Sequence, residues 1–193
     1  MKQKPLLAVV GMPGAGKSTA VSQLSRRQWP VVYLGRITLD EIARRGLDAT
    51  PQNEQFVRED LRRIHGDAAY AKMALSVILE HVRHSPTLID GLYSWAEYRF
   101  LQAHLGSPLY VIAICAERQR RYARLSERAN RPLTAREAEE RDIAEIENIQ
   151  KGGPIAMADF TLTNDGDPEQ LYALLDAIAD RITLGVSDAG AIA

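Results

Sequence analysis

The run Gly11-Met12-Pro13-Gly14-Ala15-Gly16-Lys17-Ser18-Thr19 satisfies G-x-x-x-x-G-K-[ST] in full. Before it lies the apolar stretch Leu6-Leu7-Ala8-Val9-Val10, which reads as a strand, and after it Ala20 to Arg27 can continue as a helix. A strand, a glycine-rich loop and a helix in that order make a phosphate-binding P-loop. Gly11, Gly14 and Gly16 let the backbone curl so that successive N–H groups face phosphate oxygens, and Pro13 stiffens the loop. The following helix aims its positive dipole end at the same point. Gly11, Pro13, Gly14, Ala15, Gly16, Lys17, Ser18 and Thr19 are therefore the candidate nucleotide-binding residues. Lys17 would bridge the β- and γ-phosphates, and the Ser18 hydroxyl would hold Mg²⁺.

A chain of 193 residues suits one α/β domain with small inserted lobes. Its formal net charge of −1 supplies no global basic field to draw nucleic acid or an anionic membrane. The single cysteine, Cys115, excludes an intrachain disulfide and reads as a buried strand residue. The N-terminus leads almost directly into the first strand, with no signal-like segment and no long apolar run. The expectation is a cytoplasmic protein, monomeric or homodimeric.

Further along, strand-like and helix-like segments alternate, the pattern of a parallel sheet covered on both faces. Val31-Val32-Tyr33-Leu34 reads as a second strand and Thr38 to Arg45 as a short helix. Thr50-Pro51 opens a helix to His65, which resumes after Gly66-Asp67 and runs to His84. Thr87 to Asp90, Leu109 to Cys115 and Phe160 to Thr163 supply three more strands. Helices are expected over Trp95 to His104, Arg118 to Ala129, Thr134 to Gln150 and Pro168 to about Leu184, with Gly152-Gly153-Pro154 ending the third. The predicted fold is a five-stranded parallel sheet with helices on both faces. Residues 1–184 form one kinase-like domain, with core segments 1–35, 85–123 and 152–184, a helical acceptor-binding insertion at 36–84 and a lid at 124–151. Residues 185–193 read as a flexible tail.

Ligands of such sheets sit at the carboxyl ends of the strands. Asp90, ending an apolar strand, can hold Mg²⁺ through water or orient the acceptor, and Gly91 follows it. The arginines between 118 and 141 could stabilise charge on a transferring phosphoryl group. Arg124, Arg128 and Arg131 flank the turn where a lid would close, Arg124 on the nucleotide side and the other two as catalytic candidates. Arg36 and Arg99 are candidates for the acceptor, and Tyr93 could stack on a base, although core packing competes for the aromatic residues here.

Together these residues resemble a nucleoside-monophosphate-kinase-like P-loop protein of the adenylate kinase and dephospho-coenzyme A kinase superfamily, nearest to a group of archaeal adenylate-kinase-related proteins. The resemblance spans roughly residues 5 to 182. It rests on the P-loop, Arg44-Arg45-Gly46-Leu47, Ile89-Asp90-Gly91, Glu140-Arg141-Asp142, and Ala156-Met157-Ala158-Asp159 followed by Asn164. It implies a five-stranded core, an acceptor-covering insertion and a short lid. Adenylate kinases carry Gly-Asp-x-x-Arg after strand two and Asp-Gly-x-x-Arg after strand three. Here the matching stretches are Gly35-Arg36-Ile37-Thr38-Leu39 and Asp90-Gly91-Leu92-Tyr93-Ser94, so both acceptor arginines are missing. The implied activity is ATP- and Mg²⁺-dependent phosphoryl transfer to a small metabolite, a nucleotide being the leading acceptor. A regulatory nucleotide-binding ATPase and a dephospho-coenzyme A kinase-like enzyme are the alternatives.

Overall fold

Leu6–Val10 is apolar and buried at all five positions, as expected of a strand covered on both faces. A computed structural model describes residues 3–184. In chain order its elements are β1 (Leu6–Val10), α1 (Lys17–Ser25), β2 (Val31–Tyr33), α2 (Gly35–Arg44), α3 (Pro51–His65), α4 (Ala69–His84), β3 (Thr87–Asp90) and α5 (Trp95–His104). They continue with β4 (Leu109–Cys115), α6 (Arg118–Ser126), α7 (Ala135–Ile149), α8 (Gly152–Ala156), β5 (Phe160–Thr163) and α9 (Pro168–Leu184). The flexible tail expected at 185–193 lies outside the described residues.

The strands pair in the order β2-β3-β1-β4-β5, all parallel. Alternation of side chains along each strand divides the core into two layers. Leu6, Ala8, Val10, Ile89, Val111 and Ala113 face α2 to α5, where Ile42, Val57, Ile78 and Leu101 meet them. Leu7, Val9, Leu88, Ile112 and Ile114 face α1 and α9, against Leu24, Leu171, Leu175 and Ile178. The sheet is therefore covered on both faces, as the alternating pattern predicts. Register sets Val9 beside Asp90 and Val10 beside Ala113, so β3 and β4 flank the strand that feeds the P-loop.

Several boundaries differ from the sequence expectation, the first helix ending at Ser25 and the second strand at Tyr33, and three further differences have a visible cause. α2 starts at Gly35 rather than Thr38, because Leu34 bonds its N–H to the Asp90 carbonyl (2.9 Å) and turns at once into helical geometry. α6 stops at Ser126 instead of Ala129, where the Leu133 N–H folds back onto the Leu125 carbonyl (3.1 Å). Gly152-Gly153-Pro154 begins α8 rather than merely ending α7, which closes at Gln150 with φ 52°. The two helices that begin after Thr50 and Thr134 are capped by those residues. The Thr50 hydroxyl accepts from the Asn53 N–H, and Thr134 with Glu137 forms a capping box. Among the described residues no helix is long and apolar enough to cross a membrane.

Candidate nucleotide and acceptor site

The P-loop is fixed by parts of the chain far from it in sequence. Gly14 has φ 78°, and a Cβ there would run into the Arg121 carbonyl on α6. Gly16 has φ 101°, and a Cβ there would strike the Asn164 side-chain amide at the end of β5. Asn164 Nδ2 donates to the Ala15 carbonyl (2.8 Å). Arg121 Nη1 donates to the Pro13 carbonyl (2.9 Å) and, with Nη2, to Asp142 (3.1 and 2.6 Å). The first turn of α1 begins at Gly16 with no side-chain cap, leaving its N–H groups for a ligand.

Beside the loop lies a cavity of about 450 Å³. Pro13, Gly14, Gly16, Lys17, Ser18 and Thr19 form its floor. Tyr33, Asp90 and Tyr93 line it from the ends of β2 and β3. Arg124 lines it from α6, Arg128 from the turn after α6, Arg141 from α7 and Lys151 from the position before α8. Five cations thus meet Asp90 around one space. Burial, together with repulsion from Lys151, pushes the Lys17 ammonium down to about 7, and its Nζ donates to the Met12 carbonyl (3.1 Å). Burial raises the Asp90 carboxyl, with Lys17 pulling the other way. Arg124 donates through Nη2 to the Asn164 carbonyl (2.7 Å), while its Nη1 is buried without a hydrogen-bond partner. An orphaned buried guanidinium nitrogen, uncapped helix amides and a desolvated lysine are what an incoming phosphate would satisfy. Ser18 and Asp90 fit Mg²⁺, a cation that takes one or two protein oxygens and fills its octahedron with water and phosphate.

Tyr93 is held in place from behind. Buried Glu97 accepts the N–H groups of Tyr93 (3.0 Å) and Ser94 (3.1 Å). Burial raises the Glu97 carboxyl, and nearby Arg62 opposes the shift. A second hollow of about 470 Å³ shares Tyr33 but is lined mainly by apolar side chains of β2 and α4, away from the P-loop. The smaller cavity carries the phosphate-binding groups and is the candidate site.

Of the residues singled out in the sequence, Lys17, Ser18, Thr19, Asp90, Tyr93, Arg124 and Arg128 come together around the cavity. Gly11 and Ala15 are buried scaffolding of the loop, and Gly91 turns the chain after β3 with φ 100°. Three others stand elsewhere. Arg36 is exposed beside Asp40 (3.6 Å) and lines the second hollow. Arg99 is exposed over the Trp95 ring (5.7 Å). Arg131 makes a two-pronged pair with Glu54 on α3 (2.9 and 3.1 Å). Cys115, expected to be buried, is only partly so, and burial raises its thiol. Sequence reasoning did not single out Tyr33 or Lys151, and Arg121 stood in it only as one arginine of a charged run. The usable signal for Lys151 was its place directly before Gly152-Gly153-Pro154.

A family model described as an AAA domain matches residues 7–145. A UPF0200 protein of Thermococcus gammatolerans is 35% identical over 190 residues, covering 96% of this chain and 100% of the relative. The chain belongs to the UPF0200 family. A second UPF0200 protein, from Methanocaldococcus jannaschii, is 32% identical over 180 residues, covering 92% of this chain and 90% of its own. Among solved structures, shikimate kinase from Bacteroides thetaiotaomicron superposes with TM-score 0.57 at 14% identity, covering 91% of this chain and 96% of that one. A sugar kinase from Janibacter sp. gives 0.57 at 16% identity, covering 96% and 99%. This UPF0200 chain therefore has a P-loop kinase-like fold. Its relatives bear the UPF0200 name and not that of adenylate kinase.

Proposed function

We propose that the protein is an ATP- and Mg²⁺-dependent kinase of a small metabolite, with a nucleotide as the leading acceptor. The observation that carries the proposal is the meeting of Lys17, Asp90, Arg124, Arg128, Arg141 and Lys151 in one cavity over the uncapped start of α1. Bound ATP and Mg²⁺ would supply the phosphoryl group and a counter-charge on its oxygens. Lys17 binds the γ-phosphate, and its charged form is favoured as the phosphate replaces water. Ser18 and Asp90 bind the metal and its waters. Asp90 also orients the acceptor beside Gly91 and Tyr93. Arg124 and Arg128 stabilise negative charge on the transferring group. Catalysis is positioning and charge stabilisation, with no covalent enzyme intermediate. In this reading α2 to α4 within 36–84 cover the acceptor and residues 124–151 act as the lid. Arg131 would join the site only when its pair with Glu54 opens.

The test is transfer from γ-labelled ATP with Mg²⁺ to nucleoside and deoxynucleoside monophosphates, nucleosides and dephospho-coenzyme A, with Lys17→Ala as control. A labelled product lost in the variant supports the kinase. Full activity in Lys17→Ala would sink it. One observation favours a second reading, a nucleotide-dependent regulatory protein. Both acceptor arginines typical of adenylate kinases are missing, and Arg36 and Arg99 stand outside the cavity. That protein would release inorganic phosphate, or nothing, and label no acceptor.

A further inference from the structure

The cavity has two charged ends, and the sheet order separates them. Arg124 is tied to Asn164 after β5, on one side of β1. Lys151 stands 4.9 Å from the centre of the Tyr93 ring, just beyond β3 on the other side of β1. Lys17, the first residue of α1 after the loop that follows β1, lines the same cavity. Lys151 is held there by packing, because Gly153 of α8 presses on the Trp95 ring so closely that a Cβ would not fit. Its side chain is only 4% exposed.

Charge at this end is unbalanced. Glu145 pairs with both Lys151 and Arg141 (3.0 Å to Arg141). Burial works against ionising Glu145, yet the two cations pull its carboxyl below the usual range, so it is an anion. One carboxylate here faces two cations, the buried Lys151 and the half-exposed Arg141, with Lys17 close behind. Glu145 stands behind the cavity wall, and Asp90 is the acid that lines the cavity itself. Lys151 gives one of its three donors to Glu145 and faces the Tyr93 ring, which leaves it a donor for an oxyanion, and Arg141, bonded to Glu145 through Nε, adds its terminal fork.

We propose that Lys151, Arg141 and Tyr93 form an oxyanion subsite for the acceptor, which takes a phosphate monoester group and is separate from the P-loop. This deepens the kinase reading and rests on it for the word acceptor. It also gives the chain an acceptor anchor that uses neither of the two missing arginine positions.

The test is calorimetric titration of inorganic phosphate into protein saturated with Mg²⁺ and a non-hydrolysable ATP analogue. Wild type is expected to take up one phosphate. Lys151→Met should weaken phosphate by about tenfold or more, the loss of a charge-assisted contact, while the analogue is not weakened, since loss of Lys151 relieves the repulsion on Lys17. Lys151→Arg, which keeps the charge, should restore part of the binding. Melting curves of both variants, with the analogue still binding, establish that they fold. Unchanged phosphate binding in Lys151→Met overturns the subsite. So does equal weakening of phosphate and nucleotide, which would make Lys151 part of the donor site, and so does a loaded wild type that takes no phosphate. If wild type does not bind the analogue at all, the kinase reading fails instead, and phosphate titrated alone into wild type and Lys151→Met still decides the subsite.

Discussion

Arg121 grips Asp142 with both terminal nitrogens while its Nη1 also donates to the Pro13 carbonyl (2.9 Å), joining α6, α7 and the P-loop in one buried contact. Both side chains are less than 10% exposed. Removing one partner of such a pair leaves an uncompensated buried charge. Asp142→Ala is expected to cost about 3–5 kcal/mol of stability and to weaken ATP binding as the loop loses its brace. Urea unfolding and nucleotide titration measure both. A loss below about 1 kcal/mol would place the pair with ordinary surface ion pairs.

Lys17 links nucleotide binding to pH. Its folded value of about 7 lies below the ordinary 10.5. Between those values the unfolded chain holds a proton that the nucleotide-free fold lacks. This group's contribution therefore makes the nucleotide-free protein more stable as pH rises from about 7 toward 10.5, with the penalty at its full size below 7. Phosphate reverses the preference by favouring the charged amine. Calorimetry in buffers of different ionisation enthalpy should show proton uptake approaching one per nucleotide near pH 8 and close to none near pH 6. Equal uptake at both would contradict the assignment. Lys17→Met should raise the nucleotide-free Tm near pH 6.5 by roughly a few degrees while abolishing nucleotide binding.

The Arg131–Glu54 pair spans from the turn after α6 to α3. Arg131 is more than half exposed, so the pair contributes under about 1 kcal/mol to global stability. Its effect is local. Glu54→Gln should leave the urea midpoint nearly unchanged and raise amide exchange over residues 127–134. Unaltered exchange there would show that the turn is held by something else.

Asp90→Asn keeps size and shape but removes the negative charge facing Lys17. In the proposed kinase it should lower kcat by about a hundredfold, the scale of losing one positioned catalytic group, with nucleotide affinity in the absence of Mg²⁺ little changed. Turnover within about twofold of wild type would remove Asp90 from the metal and acceptor roles.

The P-loop side of the candidate site was readable because its signals are local. The P-loop pattern, the strand before it and Asp90 at the end of β3 each declare themselves within a few residues. The fold was legible for the same reason, since apolar runs and Gly or Pro breaks mark every strand. Arg121 and Asp142 were not readable as a pair, because 21 residues separate them and both sit in charged runs where solvated partners are the default. Lys151 was hidden likewise. Its role comes from Tyr93, Glu145 and the packing of Gly153 on Trp95, none of which sequence spacing expresses. Arg36, Arg99 and Arg131 show the converse, charged residues in plausible places that the fold pairs elsewhere.

Asn164 stands 149 residues from Ala15, whose carbonyl it holds, and fills the space that Gly16 leaves open. On a chain emerging from a ribosome, the P-loop sequence is made among the first twenty residues, yet its cradle lacks a wall until β5 is threaded and docked. A nascent or prematurely terminated chain that stops short of Asn164 would carry the motif without this brace.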